Sequence, residues 1–251
     1  MSPARLAGVS KGALMANFRS GLWSTLGEAR TTAELARVGF DWIGLDAQHG
    51  HFDDRALRDS LARRRSDGPQ FLVRVLANDA GLIGRALDAG ADGVIVPMVE
   101  SAEQARAAAA SVFYPPEGRR SWGPFQGSGA EGANDSAPLC AVMIETRAGL
   151  DDASAICGVS GVGMVFVGPF DLSIALGTTV DALLADRAPH APLPTIVRAC
   201  KEAGIVAGAY AGDPDRARML RECGFEWVAV CTEAGLLRLG AERALEAVRS
   251  R

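Results

Sequence analysis

One pattern recurs along this chain of 251 residues: an amphipathic helical stretch ends at a glycine, and an apolar run begins two or three residues later. It is read in ARVGFDWIGLD (36–46), ALDAGADGVIVP (86–97), KEAGIVAGAY (201–210) and RECGFEWVAV (221–230). Gly39, Gly90, Gly204 and Gly224 stand where a left-handed residue closes a helix. The runs after them are short and often β-branched, as parallel strands buried on both faces are. Extended along the chain, the pattern predicts eight strands near 20–25, 41–46, 71–75, 93–97, 138–144, 163–167, 205–209 and 226–230. Helices are expected near 30–38, 53–64, 79–89, 101–112, 147–156, 193–203, 213–223 and 233–248. Eight alternating β and α units describe an α/β chain folded as one (β/α)8 TIM barrel over residues 1–251. A doubly wound open sheet is the alternative, but it would usually have fewer strands and a Gly-rich first turn, and G-x-G-x-x-G is absent.

Two segments exceed ordinary βα loop length. Residues 113–137 are rich in Gly, Ser and Pro, and residues 171–192 carry a short helix and then a polar, Pro-containing stretch. Long loops are commonly functional, so both are candidate lids or subunit contacts. No linker divides the chain into two domains.

Composition narrows the function classes. A net charge of −4 argues against a nucleic-acid footprint, and the one dense basic run, Arg63 to Arg65, reads as a solvated helix end. No apolar stretch approaches the roughly 20 residues of a membrane span. The N-terminus lacks the long apolar core of a signal peptide. Five cysteines without a C-x-x-C pair, in apolar or helical contexts, read as reduced and mostly buried thiols of a cytoplasmic protein. The two lysines, Lys11 and Lys201, lie before the first strand and inside a helix, so neither is at a strand end where a Schiff base could form.

In a barrel, catalytic groups project from the C-terminal ends of the strands. Those ends carry Asp46-Ala47-Gln48-His49, Arg74, Ile144-Glu145-Thr146 and Gly168-Pro169-Phe170-Asp171. Glu145 and Asp171, filled out by water, suit a hard or borderline divalent ion and leave positions for a chelating substrate. They read equally as salt-bridging or helix-capping acids, Asp171 as an N-cap. His49 has the basicity for a general base, or is merely an exposed loop histidine. Arg74 matches a carboxylate or a developing oxyanion, or else an internal salt bridge to one of the same acids. Asp88 sits in the last turn of a helix, where the dipole disfavours an acid; by default it is a surface residue.

These pieces together resemble the class II, metal-dependent pyruvate aldolases, the family of 4-hydroxy-2-oxoheptanedioate aldolase and 2-dehydro-3-deoxyglucarate aldolase. The matching stretches are GLWSTLG (21–27), GFDWIGLDAQHG (39–50), LVR (72–74), LDAGADGVIVPMVE (87–100), YPPEGRRSWGP (114–124), IET (144–146) and GPFDLSIALG (168–177). The resemblance runs over about residues 20–245 in one order. It implies reversible cleavage of a 4-hydroxy-2-oxoacid to pyruvate and an aldehyde. Glu145 and Asp171 would hold the divalent metal, Mg²⁺ or Mn²⁺ before Co²⁺ or Zn²⁺. Arg74 would stabilise the enolate oxygen. His49 would take the proton of the C4 hydroxyl, with Asp46 as its partner and Asp88 raising its basicity. Trp23 would wall the substrate pocket, with Gly168, Pro169, Phe170 and Asp171 at the substrate. Family members are typically hexamers, so a homo-oligomer is implied.

Three departures stand out. Gln48 replaces the glutamate common before the histidine, and Met143 replaces a glutamine that often precedes I-E-T. Both positions face the expected substrate site and bear on the tuning of metal and pyruvate. The loop after RRSWGP lacks the usual R-A segment, which bears on the aldehyde partner. Two other readings share the barrel: an acyl-CoA lyase of the citrate-lyase β-subunit or malyl-CoA type, and a catalytically silent barrel that binds an oxoacid. The D-x-x-H unit favours the aldolase over the first.

Overall fold

The structure is a computed structural model that describes residues 18–123 and 137–249. Eight parallel strands close into a barrel in chain order, β1 pairing with β8: β1 (Arg19–Ser24), β2 (Trp42–Asp46), β3 (Gln70–Arg74), β4 (Gly93–Val96), β5 (Leu139–Ile144), β6 (Met164–Val167), β7 (Val206–Tyr210) and β8 (Trp227–Thr232). The helices between and after them are α1 (Ala29–Leu35), α2 (Asp54–Leu61), α3 (Ala80–Asp88), α4 (Ala102–Val112), α5 (Arg147–Asp151), α6 (Ala153–Cys157), α7 (Pro169–Ala175), α8 (Val180–Ala185), α9 (Pro192–Ala203), α10 (Pro214–Cys223) and α11 (Glu233–Arg249). This is the (β/α)8 barrel that the repeated pattern predicts. Gly39, Gly90, Gly204 and Gly224 all take positive φ, at 112°, 102°, 68° and 107°.

Two details differ from expectation. The helix predicted over 147–156 is two short ones, broken at Asp152, whose φ of −97° and ψ of 9° leave the helical region. The Asp152 side chain there accepts the Ala102 N–H at 2.8 Å, tying the break to the start of α4. The short helix expected at the start of 171–192 is α7, and the polar stretch after it carries a second one, α8. The described start of the segment after α4, residues 113–123, leaves the helix at the face opposite the strand C-termini. Most of that segment, from 124 to 136, lies outside the described residues.

The barrel is filled from within by aromatic side chains. Trp23, Trp42, Phe166 and Trp227 are all buried, with Trp23 stacked on Phe166 at 5.6 Å and Trp42 edge-on to both. Glycines opposite them make the room. A Cβ at Gly21 would lie 2.1 Å from the Trp42 ring, and one at Gly44 would lie 2.7 Å from Trp23. A second apolar layer, including Ile43, Val94, Val142, Val165 and Leu193, packs the strands against the helices. The Trp23–Phe166 stack thus becomes the floor of whatever lies at the strand C-termini.

Candidate active site

Asp46 is the hub of that end of the barrel. It is the last residue of β2 and is 1% exposed. Arg74, the last residue of β3 and its neighbour in register, donates to both of its oxygens: Nε to Oδ1 at 2.9 Å and Nη2 to Oδ2. The Trp23 indole donates to Oδ2 at 3.2 Å, and the backbone N–H groups of Gln48 and His49 donate to Oδ1 at 3.0 and 3.1 Å. Burial alone would raise the Asp46 carboxyl, but the Arg74 hydrogen bonds and charge, helped by His49 and Trp23, bring it below its ordinary value. Of the two readings of Arg74, the internal salt bridge is therefore present. A guanidinium has five N–H donors, so the pair leaves others for a ligand. Its cation also lies 5.2 Å from the Trp23 ring centre.

Asp46 holds His49 by its backbone rather than by its imidazole. The side chain of His49 stands exposed at the rim of a cavity of about 290 Å³. Trp23, Asp46, Arg74, Met143, Gly168, Phe170 and Asp171 also line it. Thr25, Phe166 and Tyr210 complete the wall. The sequence pattern gave these three no role, although Thr25 and Tyr210 sit at strand ends and were open to the same reasoning. A larger groove, about 420 Å³, lies against α2 and α3. Its polar lining is His51, Asp53 and the Arg85–Asp54 ion pair, and it contains none of Asp46, His49, Arg74 and Asp171.

Glu145, just past β5, is 4% exposed, and its Oε1 accepts the Met98 N–H at 2.8 Å. Met98 reaches that position with a left-handed φ of 56°, an uncommon conformation for a residue with a side chain. The Oε2 of Glu145 faces Gly168, where a Cβ would come within 2.7 Å. Burial raises the Glu145 carboxyl above its ordinary value, and the nearby Asp171 charge adds to this. Asp171 is in the first turn of α7, two residues past Pro169, and Gly168 occupies the N-cap. The capping role open to Asp171 is thus not the one it takes. No salt bridge to Glu145 is present among the described residues. A buried carboxylate beside a second acid, without an ion-pair partner, is a donor set that suits a divalent cation. Among the described residues no group of three or more His, Cys, Asp or Glu gathers as a metal site, so the two carboxylates would need water or substrate oxygens to complete a shell.

The remaining expected residues divide. Met143 is 2% exposed and packs beside Gly168, giving the cavity an apolar wall where a polar side chain is common in the resembling family. Pro169 is buried and begins α7, while Phe170 leans on Tyr210 with ring centres 5.9 Å apart. Gln48 lines a neighbouring groove with Met98 and Gln104, and its buried Oε1 has no partner. Asp88 is not brought to His49 within the chain. It ends α3 at the opposite face of the barrel, where Arg120 donates to it at 2.6 Å. Lys201 is exposed on α9, and Lys11 lies outside the described residues.

The profile of the HpcH/HpaI aldolase/citrate lyase family matches residues 19–238. The chain is 36% identical over 247 residues to a 2-dehydro-3,6-dideoxy-6-sulfogluconate aldolase of Pseudomonas putida, covering 92% of each chain. It is 32% identical over 225 residues to a hydroxypyruvate/pyruvate aldolase of Roseobacter denitrificans, covering 86% of this chain and 87% of the relative. Among solved structures, an HpcH/HpaI aldolase/citrate lyase family protein from Burkholderia cenocepacia superposes with a TM-score of 0.83 at 30% identity, covering 96% of this chain and 98% of the other.

Proposed function

The chain belongs to the HpcH/HpaI aldolase/citrate lyase family, and from that premise we propose how its site works as a class II aldolase that reversibly cleaves a 4-hydroxy-2-oxoacid to pyruvate and an aldehyde. The observation that carries this is the convergence of Arg74, His49 and Asp171 on one cavity, with the buried Glu145 carboxylate beneath Gly168. A divalent ion held by Glu145 and Asp171, Mg²⁺ or Mn²⁺ with Co²⁺ and Zn²⁺ also compatible, would supply Lewis-acid polarisation of the oxoacid's carboxylate and keto oxygens.

The chain's own groups do the rest. The Trp23–Phe166 stack seats the pyruvyl end, and Met143 and Phe170 keep water from its flanks. His49, directly or through one water, takes the proton of the C4 hydroxyl. The C4–O electron pair then forms the aldehyde carbonyl, and the C3–C4 bond breaks toward C3. Arg74, held in place by Asp46, donates its remaining N–H groups to the enolate oxygen that results. Water protonates C3 to give pyruvate, and His49 returns its proton to that solvent.

The assembly is a homo-oligomer, a hexamer by resemblance to the family. Leu237, Leu245 and Val248 support this: they share one side of α11 and are 57%, 50% and 80% exposed, a stripe that a single chain leaves in water. The placement of Asp88 supports it too. Any action of Asp88 on His49 requires a second copy to bring its Asp88 end to the first copy's strand ends. The five free thiols, four of them buried, fit a reducing cytoplasm. No helix among the described residues is long and apolar enough to cross a membrane.

The test is release of pyruvate from a panel of 4-hydroxy-2-oxoacids by the purified protein. Exhaustive chelation is expected to stop it and Mn²⁺ or Mg²⁺ to restore it, while borohydride added with substrate traps nothing. Activity that survives chelation overturns the metal assignment. Cleavage of acyl-CoA thioesters in place of oxoacids overturns the substrate class.

A further inference from the structure

Glu233 is a buried carboxylate that the chemistry above does not use; it is 1% exposed. It is the first residue of α11, immediately after β8, and so enters at the same face as the cavity. The helix does not need it as a cap, because the Thr232 hydroxyl accepts the Gly235 N–H at 3.0 Å. Its carboxylate instead crosses to the turn after β1, accepting the Thr25 N–H at 2.9 Å on Oε2 and the Leu26 N–H at 2.6 Å on Oε1. Ser24 adds a side-chain hydrogen bond. Burial pushes the Glu233 carboxyl up, and these three donors work against that rise. A carboxylate taken out of water is costly unless its hydrogen bonds are made, and here they are all made to one turn.

That turn is joined to the loop carrying His49. The Thr25 carbonyl accepts the His51 N–H at 2.7 Å. Gly50 backs onto both segments, so that a Cβ there would lie 2.9 Å from the Thr25 carbonyl oxygen and 2.3 Å from that of Asp46. The His49 N–H is in turn held by Asp46. The β1 turn and the residues from 48 to 51 are therefore one hydrogen-bonded unit, and Glu233 ties it to the end of β8. Arg74 ends β3, Glu145 follows β5 and Asp171 is in α7, whereas the hydrogen bonds of Glu233 go to residues 24–26.

We propose that Glu233 is a positioning residue for His49: it clamps the β1 turn and, through Thr25, fixes the loop that presents the imidazole to the cavity. The kinetic consequence rests on the aldolase reading; the mechanical one does not.

The experiment compares the wild-type protein with Glu233→Gln, which keeps the shape but turns an amide NH₂ toward a backbone N–H, and with Glu233→Asp. Amide exchange in residues 25–27 and 48–52 is expected to quicken about tenfold in Glu233→Gln, while β5 and β6 keep their protection. In the same variant kcat is expected to fall about tenfold with KM within about twofold, because Arg74, Glu145 and Asp171 make no hydrogen bond to the clamped turn and Trp23 stays fixed by its bond to Asp46 and its stack on Phe166. Added to His49→Ala, Glu233→Gln should cost little further, since the residue it positions is gone. Glu233→Asp should recover part of both exchange protection and kcat. Unchanged exchange at 48–52, loss of protection across all strands alike, or an equal kinetic penalty with and without His49 would each overturn the proposal. A wild-type protein without aldolase activity would defeat the function proposed above, and the exchange pattern would still decide the clamp.

Discussion

Asp46 illustrates at the scale of one residue how a strand-end acid organises the groups around it. Its carboxylate neutralises Arg74, which is 8% exposed, and spends its remaining capacity on Trp23, Gln48 and His49. Breaking a buried ion pair on one side leaves the other charge uncompensated, so Asp46→Asn is expected to cost about 3–5 kcal/mol in urea unfolding. The sign of its pH dependence follows from its depressed pKa. Its stabilising contribution is complete above the ordinary value of 3.8 and is lost as pH falls from there through the folded-state pKa. The gap between wild type and Asp46→Asn should therefore hold steady at neutral pH and narrow in acid, as measured by urea midpoints at a series of pH values. Glu145 makes a different forecast. If it and Asp171 hold the ion, Mn²⁺ at about 100 times its Kd should stabilise wild type by about 2.7 kcal/mol. Glu145→Gln and Asp171→Asn should lose most of that thermal shift.

Among the elements, the end of β4 shows how a strained backbone serves the site. Met98 takes a left-handed φ so that its N–H meets Glu145, and its side chain is left 52% exposed. Glycine adopts that φ without the Cβ penalty, so Met98→Gly should keep the hydrogen bond and raise stability by about 1 kcal/mol. Thermal unfolding checks this, and a loss of stability would mean that the side chain matters more than the backbone. The N-cap of α3 is a simpler case: Asp79 accepts from Gly81 and Leu82, at 2.8 and 3.0 Å, and Asp79→Ala should cost about 1 kcal/mol. Such caps were legible in the chain as Asp or Ser before an apolar-periodic run. The break at Asp152 was not, because it depends on a bond to Ala102, 50 residues away.

For the whole molecule, the unanswered surface is α11. Its Leu237, Leu245 and Val248 fall within one stripe, and acidic replacements there should lower the solution mass by light scattering without unfolding the barrel. The proposed assembly bears on Asp88. Should a neighbouring copy supply it, mixing inactive His49→Ala and Asp88→Ala chains should regenerate some active sites, each combining an intact His49 with an intact Asp88. A mixture that stays inactive would confine Asp88 to its ion pair with Arg120.

The barrel itself was written in local signals. Helix ends at glycine and short runs buried on both faces depend on neighbours a few residues apart, and their number in series already implies closure. The rule that strand ends carry chemistry then reached Asp46, Arg74, Glu145 and Asp171 from residue type and position alone. Only the tertiary structure decided which of these meet. That Asp46 binds Arg74 through its side chain and His49 through the backbone, that Gln48 turns to a neighbouring groove, and that Asp88 lies at the far face all follow from register and barrel geometry. The clamp from Glu233 to Thr25 joins positions 208 residues apart. No local pattern encodes such a contact, because it exists only once the last strand has closed against the first.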